Sequence, residues 1–288
     1  MLYLSKPRYL RRIWGSLQKE GSETPVGEIW WLFQEKDCSS SLTDPISGTE
    51  ATVDSLVSSG NLPGKTVYPI LLKTLHTADR LSVQVHPGMD EDSLFKEETW
   101  IVLQAETGAW MMGGINSDRH CFLEFIRLGR AEEVLNRICL ETGDIYHIPP
   151  GTVHSLGPGL EILEVQSNCN VTYRLYDWER TGNNGESRQL HLKMGIEAID
   201  WGSGGRPVPA GKHGAIDMYA LNNCNYSIRN CIGQLEVDPP PGGLFFLATG
   251  NLYIQNIEIH SPVCLIADMN GGMFRLNGSG YIVEPGGK

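Results

Sequence analysis

Apolar residues along this chain fall mainly in short runs, some alternating with polar residues and some continuous, and Gly, Pro, Asn and Asp separate one run from the next. Residues 68–75, 81–85, 100–104, 145–148, 161–165, 172–176, 244–248, 252–257 and 263–267 are of this kind. A strand places successive side chains on opposite faces, so many short runs broken by turn residues predict an antiparallel sandwich or barrel. Helical spacing is scarce. Residues 131–138 show it best, with Val134, Leu135 and Ile138 at three- and four-residue intervals behind Glu132 and Glu133, acids that suit a helix's first turn. One or two short helices are expected in all.

The runs are interrupted most sharply at Gly202-Ser203-Gly204-Gly205-Arg206-Pro207-Val208-Pro209, which reads as a linker or exposed crossing loop. It divides the chain into a predicted domain over residues 1–201 and a smaller β domain over 202–288. Pro239-Pro240-Pro241-Gly242-Gly243 reads as a loop between strands of the second part. Residues 40–64, rich in Ser, Thr and Gly with little periodicity, are expected to form a long loop or a lid.

Composition narrows the class. With 288 residues, 41% hydrophobic and 20% charged, the chain can bury a sizeable core, and Gly 33 with Pro 16 shows no repeat. A folded, loop-rich protein is expected. The formal charge of -11 sets up a field that repels nucleic acid and anionic membranes, and a small anionic substrate would need a local cluster of Lys and Arg. No apolar stretch approaches the roughly 18 to 20 residues of a membrane span, and residues 1–14 lack the unbroken apolar segment of a secretory signal. These features predict a cytoplasmic protein without membrane or nucleic-acid partners. Seven scattered cysteines with no C-x-x-C pair fit neither a disulfide scaffold nor a thiolate zinc site.

The candidate chemistry lies among histidines and carboxylates. Gln84 and His86 stand two apart in a predicted strand, on one face, where both could meet one ion. An apolar-strand histidine is more often simply packed, but three other features accompany this one. In residues 143–154 a turn glycine, a strand and a Pro-x-Gly turn deliver His154 back toward the interior, although an ordinary hairpin ending in an exposed histidine has the same spacing. Lys96-Glu97-Glu98 can supply a carboxylate just before an apolar strand, or be a solvated charge run. Glu164-x-Gln166 and Thr172-Tyr-Arg174-Leu-Tyr-Asp177-Trp-Glu-Arg180 place polar groups inside strand-like sequence, where burial without partners is costly. Two imidazoles, a carboxylate and an amide oxygen make an N/O set suited to zinc or another divalent first-row metal.

At these residues the sequence resembles the type I mannose-6-phosphate isomerases of the cupin superfamily. The likeness rests on Pro69-Ile-Leu-Leu-Lys73, Leu81-Ser82-Val-Gln84-Val-His86-Pro87, Lys96-x-Glu98-x-Trp100, Gly151-Thr-Val-His154, Glu164-x-Gln166, Thr172-Tyr-Arg174-Leu-Tyr-Asp177-Trp178 and Arg188-Gln-Leu-His191, with Trp14-Gly15 and Gly27-Glu28-x-Trp30 nearer the start. It implies a mostly β fold: a cupin-like jelly-roll barrel with short helices and a second, smaller cupin-like domain. The family usually continues beyond the point where this sequence stops, at Tyr281-Ile-Val-Glu-Pro-Gly-Gly-Lys288, so the second domain is expected to be incomplete or completed by a partner chain.

The resemblance further implies one zinc ion per chain held by Gln84, His86, Glu98 and His154, catalytic roles for Arg174, Glu164 and Lys96, and a substrate site including Lys73, Ser82 and Arg180. The implied reaction interconverts mannose 6-phosphate and fructose 6-phosphate through an enediol, with the base left open between Glu164, Lys96 and a hydroxide on the ion. A non-catalytic metal-containing cupin that binds sugars or sugar phosphates is the alternative, and an isomerase acting on another phosphorylated sugar is a third reading. His86 and Glu98 are separated by 98 - 86 = 12 positions, a connection shorter than the family's usual one, so Glu97 competes with Glu98 for the carboxylate position, with Glu98 preferred.

Overall fold

A computed structural model describes residues 1–18, 24–88, 95–181, 185–202, 207–212 and 226–286. The chain is mostly β, 50% strand and 10% helix. Its strands in order are β1 (Leu2–Ser5), β2 (Arg8–Arg11), β3 (Val26–Leu32), β4 (Ser41–Thr43), β5 (Glu50–Thr52), β6 (Ile70–Thr77), β7 (Val83–Val85), β8 (Glu98–Ala105), β9 (Trp110–Ile115) and β10 (Leu135–Cys139). They continue as β11 (Asp144–Ile148), β12 (His154–Leu156), β13 (Leu160–Ser167), β14 (Tyr173–Tyr176), β15 (Val208–Lys212), β16 (Tyr226–Val237), β17 (Leu244–Ile254), β18 (Ile257–His260), β19 (Val263–Ala267) and β20 (Phe274–Pro285). Helices α1 (Val53–Ser58), α2 (Arg119–Arg127) and α3 (Leu192–Ala198) complete the set.

Two compact units are interleaved along the chain. One gathers residues 1–8, 30–73 and 212–288, the other residues 9–29 and 74–211. The sequence predicts a single cut after residue 201, but no cut at one point separates these units. Half of the predicted linker, residues 203–206, lies outside the described residues.

The first unit contains an eight-stranded sheet in the order β16-β20-β17-β19-β1-β4-β5, with β18 paired to β17. Phe245, Leu247, Leu252, Leu265 and Leu276 form its main apolar cluster. Strands β16 and β20 pair over twelve residues each, from Tyr226↔Pro285 to Val237↔Phe274. Neither is among the expected strands, and in β16 the exposed run 232–236 has no apolar alternation to reveal it. Residues 40–64 are not a bare loop: β4 and β5 pair through Leu42↔Ala51 and lead into α1. A capping box between Thr52 and Ser55 starts this helix, and Val53, Leu56 and Val57 bury its inner face.

The second unit holds the five-stranded sheet β10-β9-β12-β7-β14 and the central strands β11, β8 and β13 of a seven-stranded sheet ordered β15-β11-β8-β13-β6-β3-β2. Trp100, Val102, Met111, Ile148, Leu156 and Ile162 form one core cluster here, and Val83, Met112, Phe122, Ile126, Leu135 and Val153 another.

The helix expected at 131–138 is a 3-10 turn, Ala131–Glu133, followed by β10. Leu135 joins the cluster around Phe122 while Ile138 packs on the other cluster, and pairing with β9 satisfies the backbone that a helix would have satisfied internally. The neighbouring helix α2, like α1 and α3, was not located from the sequence. Asp118 caps it by accepting from the Cys121 amide at 2.9 Å, and Phe122 and Ile126, four apart, are buried.

Candidate metal centre

Two rows of cross-strand neighbours build the site. In the five-stranded sheet His154 of β12 stands opposite Gly113 of β9 on one side and Gln84 of β7 on the other, and Gln84 in turn stands opposite Arg174 of β14. In the seven-stranded sheet Glu98 of β8 stands opposite Gln166 of β13, and Trp100 opposite Glu164. Period-two alternation puts Glu98, Trp100, Glu164 and Gln166 on one face. That face meets the first row, since the Trp100 and His154 rings lie 5.4 Å apart edge to face.

Local geometry explains the delivery of each group. His86 directly follows β7, and residues 89–94, the shortened connection, lie outside the described residues. Their two ends are closed by a Gly88↔Phe95 bridge and by the Lys96 amide donating to the Pro87 carbonyl at 3.0 Å, which brings Lys96 and Glu98 beside His86. His154 is supplied by the turn after Pro149 and Pro150. Gly151 adopts φ +77° there, its amide donates to the His86 carbonyl at 3.0 Å, and a Cβ would lie 2.8 Å from Asp200.

His86, Glu98 and His154 offer three ligand atoms within 4.8 Å of one another, all buried. Glu98 Oε2 is 3.3 Å from His86 Nε2 and Glu98 Oε1 is 3.3 Å from His154 Nε2. Each imidazole is oriented from behind: Nδ1 of His86 lies 2.9 Å from the Val171 carbonyl, and Nδ1 of His154 lies 2.9 Å from the Thr152 carbonyl. A carbonyl can only accept, so both protons are on Nδ1 and both Nε2 atoms aim lone pairs at a carboxylate. Burial, and after it the Lys96 ammonium, push His86 down to about 3, which keeps this imidazole neutral. Burial raises the Glu98 carboxyl, but the Lys96 ammonium beside it outweighs burial and the group lies well below the ordinary carboxylate range.

Converging lone pairs of this kind call for a cation. The Lys96 Nζ supplies one, 3.0 Å from His86 Nε2, 2.9 Å from Glu98 Oε2 and 3.9 Å from Glu164 Oε1. The N/O donor set with bonded Nδ1 atoms equally fits a divalent metal such as zinc. Gln84 lies beside this set: its amide nitrogen is 3.1 Å from His154 Nε2, and its oxygen receives the Ser82 hydroxyl at 3.4 Å. Turning the amide by half a rotation presents the oxygen instead. Glu97 belongs to the other face, with Oε2 3.9 Å from His147 Nε2.

Beyond this cluster, Arg174 is half-buried, and burial followed by the Arg188 charge lowers its guanidinium. Its Nη1 donates to the Gln189 carbonyl at 2.7 Å, and its buried Nε has no hydrogen-bond partner among the described residues. Arg180, expected at the substrate, has every guanidinium nitrogen engaged: Nε with the Asp177 carbonyl, Nη2 with Asp177 Oδ1 at 2.7 Å, and Nη1 with Asp79 at 3.1 Å and the Arg80 carbonyl. Lys73 is buried on β6 in the first unit.

Three residues were quoted in sequence motifs without a role. Asp177 holds Arg188 as well as Arg180. Gln166 is fully buried on the Glu98 face, with its Nε2 donating to the Cys169 carbonyl at 2.7 Å and its Oε1 lacking a hydrogen-bond partner among the described residues. His191 contacts the Arg174 backbone. The two-residue step from Glu164 to Gln166 was the available signal for Gln166; nothing local in the sequence links residue 191 to 174.

No family model matches the chain. Mannose-6-phosphate isomerase ManA of Bacillus subtilis (strain 168) is 34% identical over 212 residues, which make up 68% of this chain and 67% of that protein. Among solved structures, the mannose 6-phosphate isomerase from Bacillus subtilis matches with a TM-score of 0.77 at 24% identity, covering 98% of each chain. A zinc-bound mannose 6-phosphate isomerase matches with a TM-score of 0.69 at 14% identity, covering 99% of each chain. These structural likenesses show a shared fold.

Proposed function

Because the chain belongs to the mannose-6-phosphate isomerase family, we propose that it interconverts mannose 6-phosphate and fructose 6-phosphate with one zinc ion held by His86, Glu98, His154 and the Gln84 oxygen. The observation that carries this reading is the pair of buried imidazoles, each bonded through Nδ1 to a carbonyl and aimed through Nε2 at one carboxylate. A bound divalent ion supplies Lewis acidity toward the sugar oxygens of the reacting carbons.

The chain's own residues do the rest. Isomerisation moves a proton between C1 and C2 through an enediol, which needs a base and a fixed positive charge beside the oxygen that gains electron density. Glu164 and Lys96, on the metal-facing side, are the groups proposed to carry the proton. Arg174, permanently charged and with a buried Nε unspent, is proposed to steady the developing oxyanion. Ser82, whose hydroxyl faces Gln84, and Lys73 keep their expected place in substrate binding on motif grounds. Arg180 is assigned instead to bracing the end of β14, because its nitrogens are occupied by Asp177, Asp79 and the Arg80 carbonyl.

Metal analysis joined to a coupled assay on mannose 6-phosphate tests the reading. We expect stoichiometric divalent metal and turnover in the native chain. His154→Ala should lose both while remaining folded, since a core of this size does not depend on one ion. Normal turnover in a metal-stripped protein removes the proposal. Sugar-phosphate binding without turnover supports a binding protein instead.

A further inference from the structure

Strand β14 is an edge strand: in its sheet it is paired on one side with β7 and, among the described residues, has no strand on the other. Residues along an antiparallel strand direct their N–H and C=O groups alternately to one neighbour and then to the other. Those of Arg174 turn to the open edge, where the segment 188–191 meets them. The His191 amide donates to the Arg174 carbonyl at 2.7 Å, as a neighbouring strand would. The return bond is different in kind. The Arg174 amide donates to Nδ1 of the His191 imidazole at 3.1 Å, a side-chain nitrogen standing where a backbone carbonyl would. A third contact closes the arrangement, with Arg174 Nη1 donating to the Gln189 carbonyl at 2.7 Å. A fourth lies three residues further along, where Arg188 Nε bonds Asp177 Oδ2 at 2.6 Å.

We propose that His191 is a positioning residue for Arg174, receiving the Arg174 amide on Nδ1 and thereby fixing the backbone from which the guanidinium projects toward the sugar. This rests on the role assigned to Arg174 above. An amide donor at Nδ1 requires the lone pair there, so His191 carries its proton on Nε2, the tautomer opposite to that of His86 and His154. Burial, then the Arg174 charge, lower His191 and favour the neutral ring.

Anchorage matters because the register of β14 against β7 breaks between Arg174 and Tyr176. Pairing with β7 alone therefore does not set the angle at which Arg174 leaves the strand. A long side chain magnifies small backbone rotations, and a displacement of about 1 Å at a catalytic group can cost about a hundredfold in rate.

The test compares His191→Asn, whose side-chain oxygen occupies nearly the place of Nδ1, with His191→Gln and His191→Ala, which leave that place without an acceptor. Turnover number, Michaelis constant and metal content for mannose 6-phosphate are measured together with hydrogen exchange of the Arg174 amide. The expected result is a fall of about tenfold to a hundredfold in kcat for Gln and Ala, with metal retained, the Arg174 amide deprotected and kcat restored in Asn to within about threefold. A purely structural edge contact would lower thermal stability in these variants while leaving kcat per metal-loaded molecule unchanged. Protection of the Arg174 amide lost with kcat intact, or Asn as impaired as Ala, overturns the proposal. Arg174→Ala, assayed in parallel, separates the two readings: full activity there refutes the role of Arg174 itself. The exchange arm still reports on the His191 contact whatever the activity.

Discussion

At the scale of single residues, the carboxylate that faces the two histidines is set by a one-residue difference in strand register. Glu98 and Glu97 are neighbours in sequence with the same chemistry, yet alternation sends Glu98 to the His86 and His154 side and Glu97 to the His147 side. Substitution by Gln preserves volume and removes the charge, so the two positions can be compared directly. We expect Glu98→Gln to lose bound metal, by at least about tenfold in affinity as a conservative bound for a primary ligand, and to lose turnover with it. Glu97→Gln should retain both, and metal analysis of the two purified variants checks this. Metal loss from Glu97→Gln alone would place the centre on the wrong face of β8.

Elements decide where those residues arrive. The turn before β12 carries His154 back to β7, and it closes only because Gly151 takes a left-handed conformation with Asp200 packed against it. A methyl group there meets both a strained backbone and the Asp200 atoms 2.8 Å away. Gly151→Ala is expected to destabilise the protein by about 1 to 3 kcal/mol. It should also weaken metal binding, because the Gly151 amide is bonded to the His86 carbonyl and the turn leads directly into His154. Denaturant unfolding and metal titration of the variant measure the two effects, and unchanged values in both would show that the turn does not set the position of His154.

For the molecule as a whole, burial of neutral imidazoles links stability to pH. Burial lowers His76 to about 4, with Thr74 Oγ1 3.0 Å from its Nε2, and burial likewise lowers His147 to about 4. The ordinary value is 6.5, so between about pH 6.5 and about pH 4 the unfolded chain binds more protons than the folded one at these sites. Stability therefore falls as the pH drops through that window, and this contribution is flat above it. His76→Gln, which cannot titrate, should show a shallower loss of unfolding free energy from pH 7 to pH 4.5 than the native protein. Equal slopes in the two proteins would mean that His76 is not neutral in the fold.

The sequence by itself determined the β class, for physical reasons that act locally, and its motifs, through the family resemblance, named the residues of the candidate centre. Alternating apolar runs separated by turn residues are strands wherever one face is buried, and the runs at 81–85, 100–104, 145–148, 161–165 and 172–176 lie on or largely within β7, β8, β11, β13 and β14. Histidines, an acid and an amide near strand ends made metal chemistry one reading of these residues, beside packed histidines and a solvated charge run, and the family resemblance chose between them. Tertiary structure alone decided the rest. Val134, Leu135 and Ile138 satisfy helical spacing, but the open side of β9 captures residues 135–139 as a strand, and no local pattern records that the partner is waiting. The interleaved units could not be read from a composition break, because contacts join segments far apart in sequence. The bonds of Arg180 to Asp79, and of His191 to Arg174, likewise exist only after folding, since each joins groups whose approach is set by the packing of separate segments.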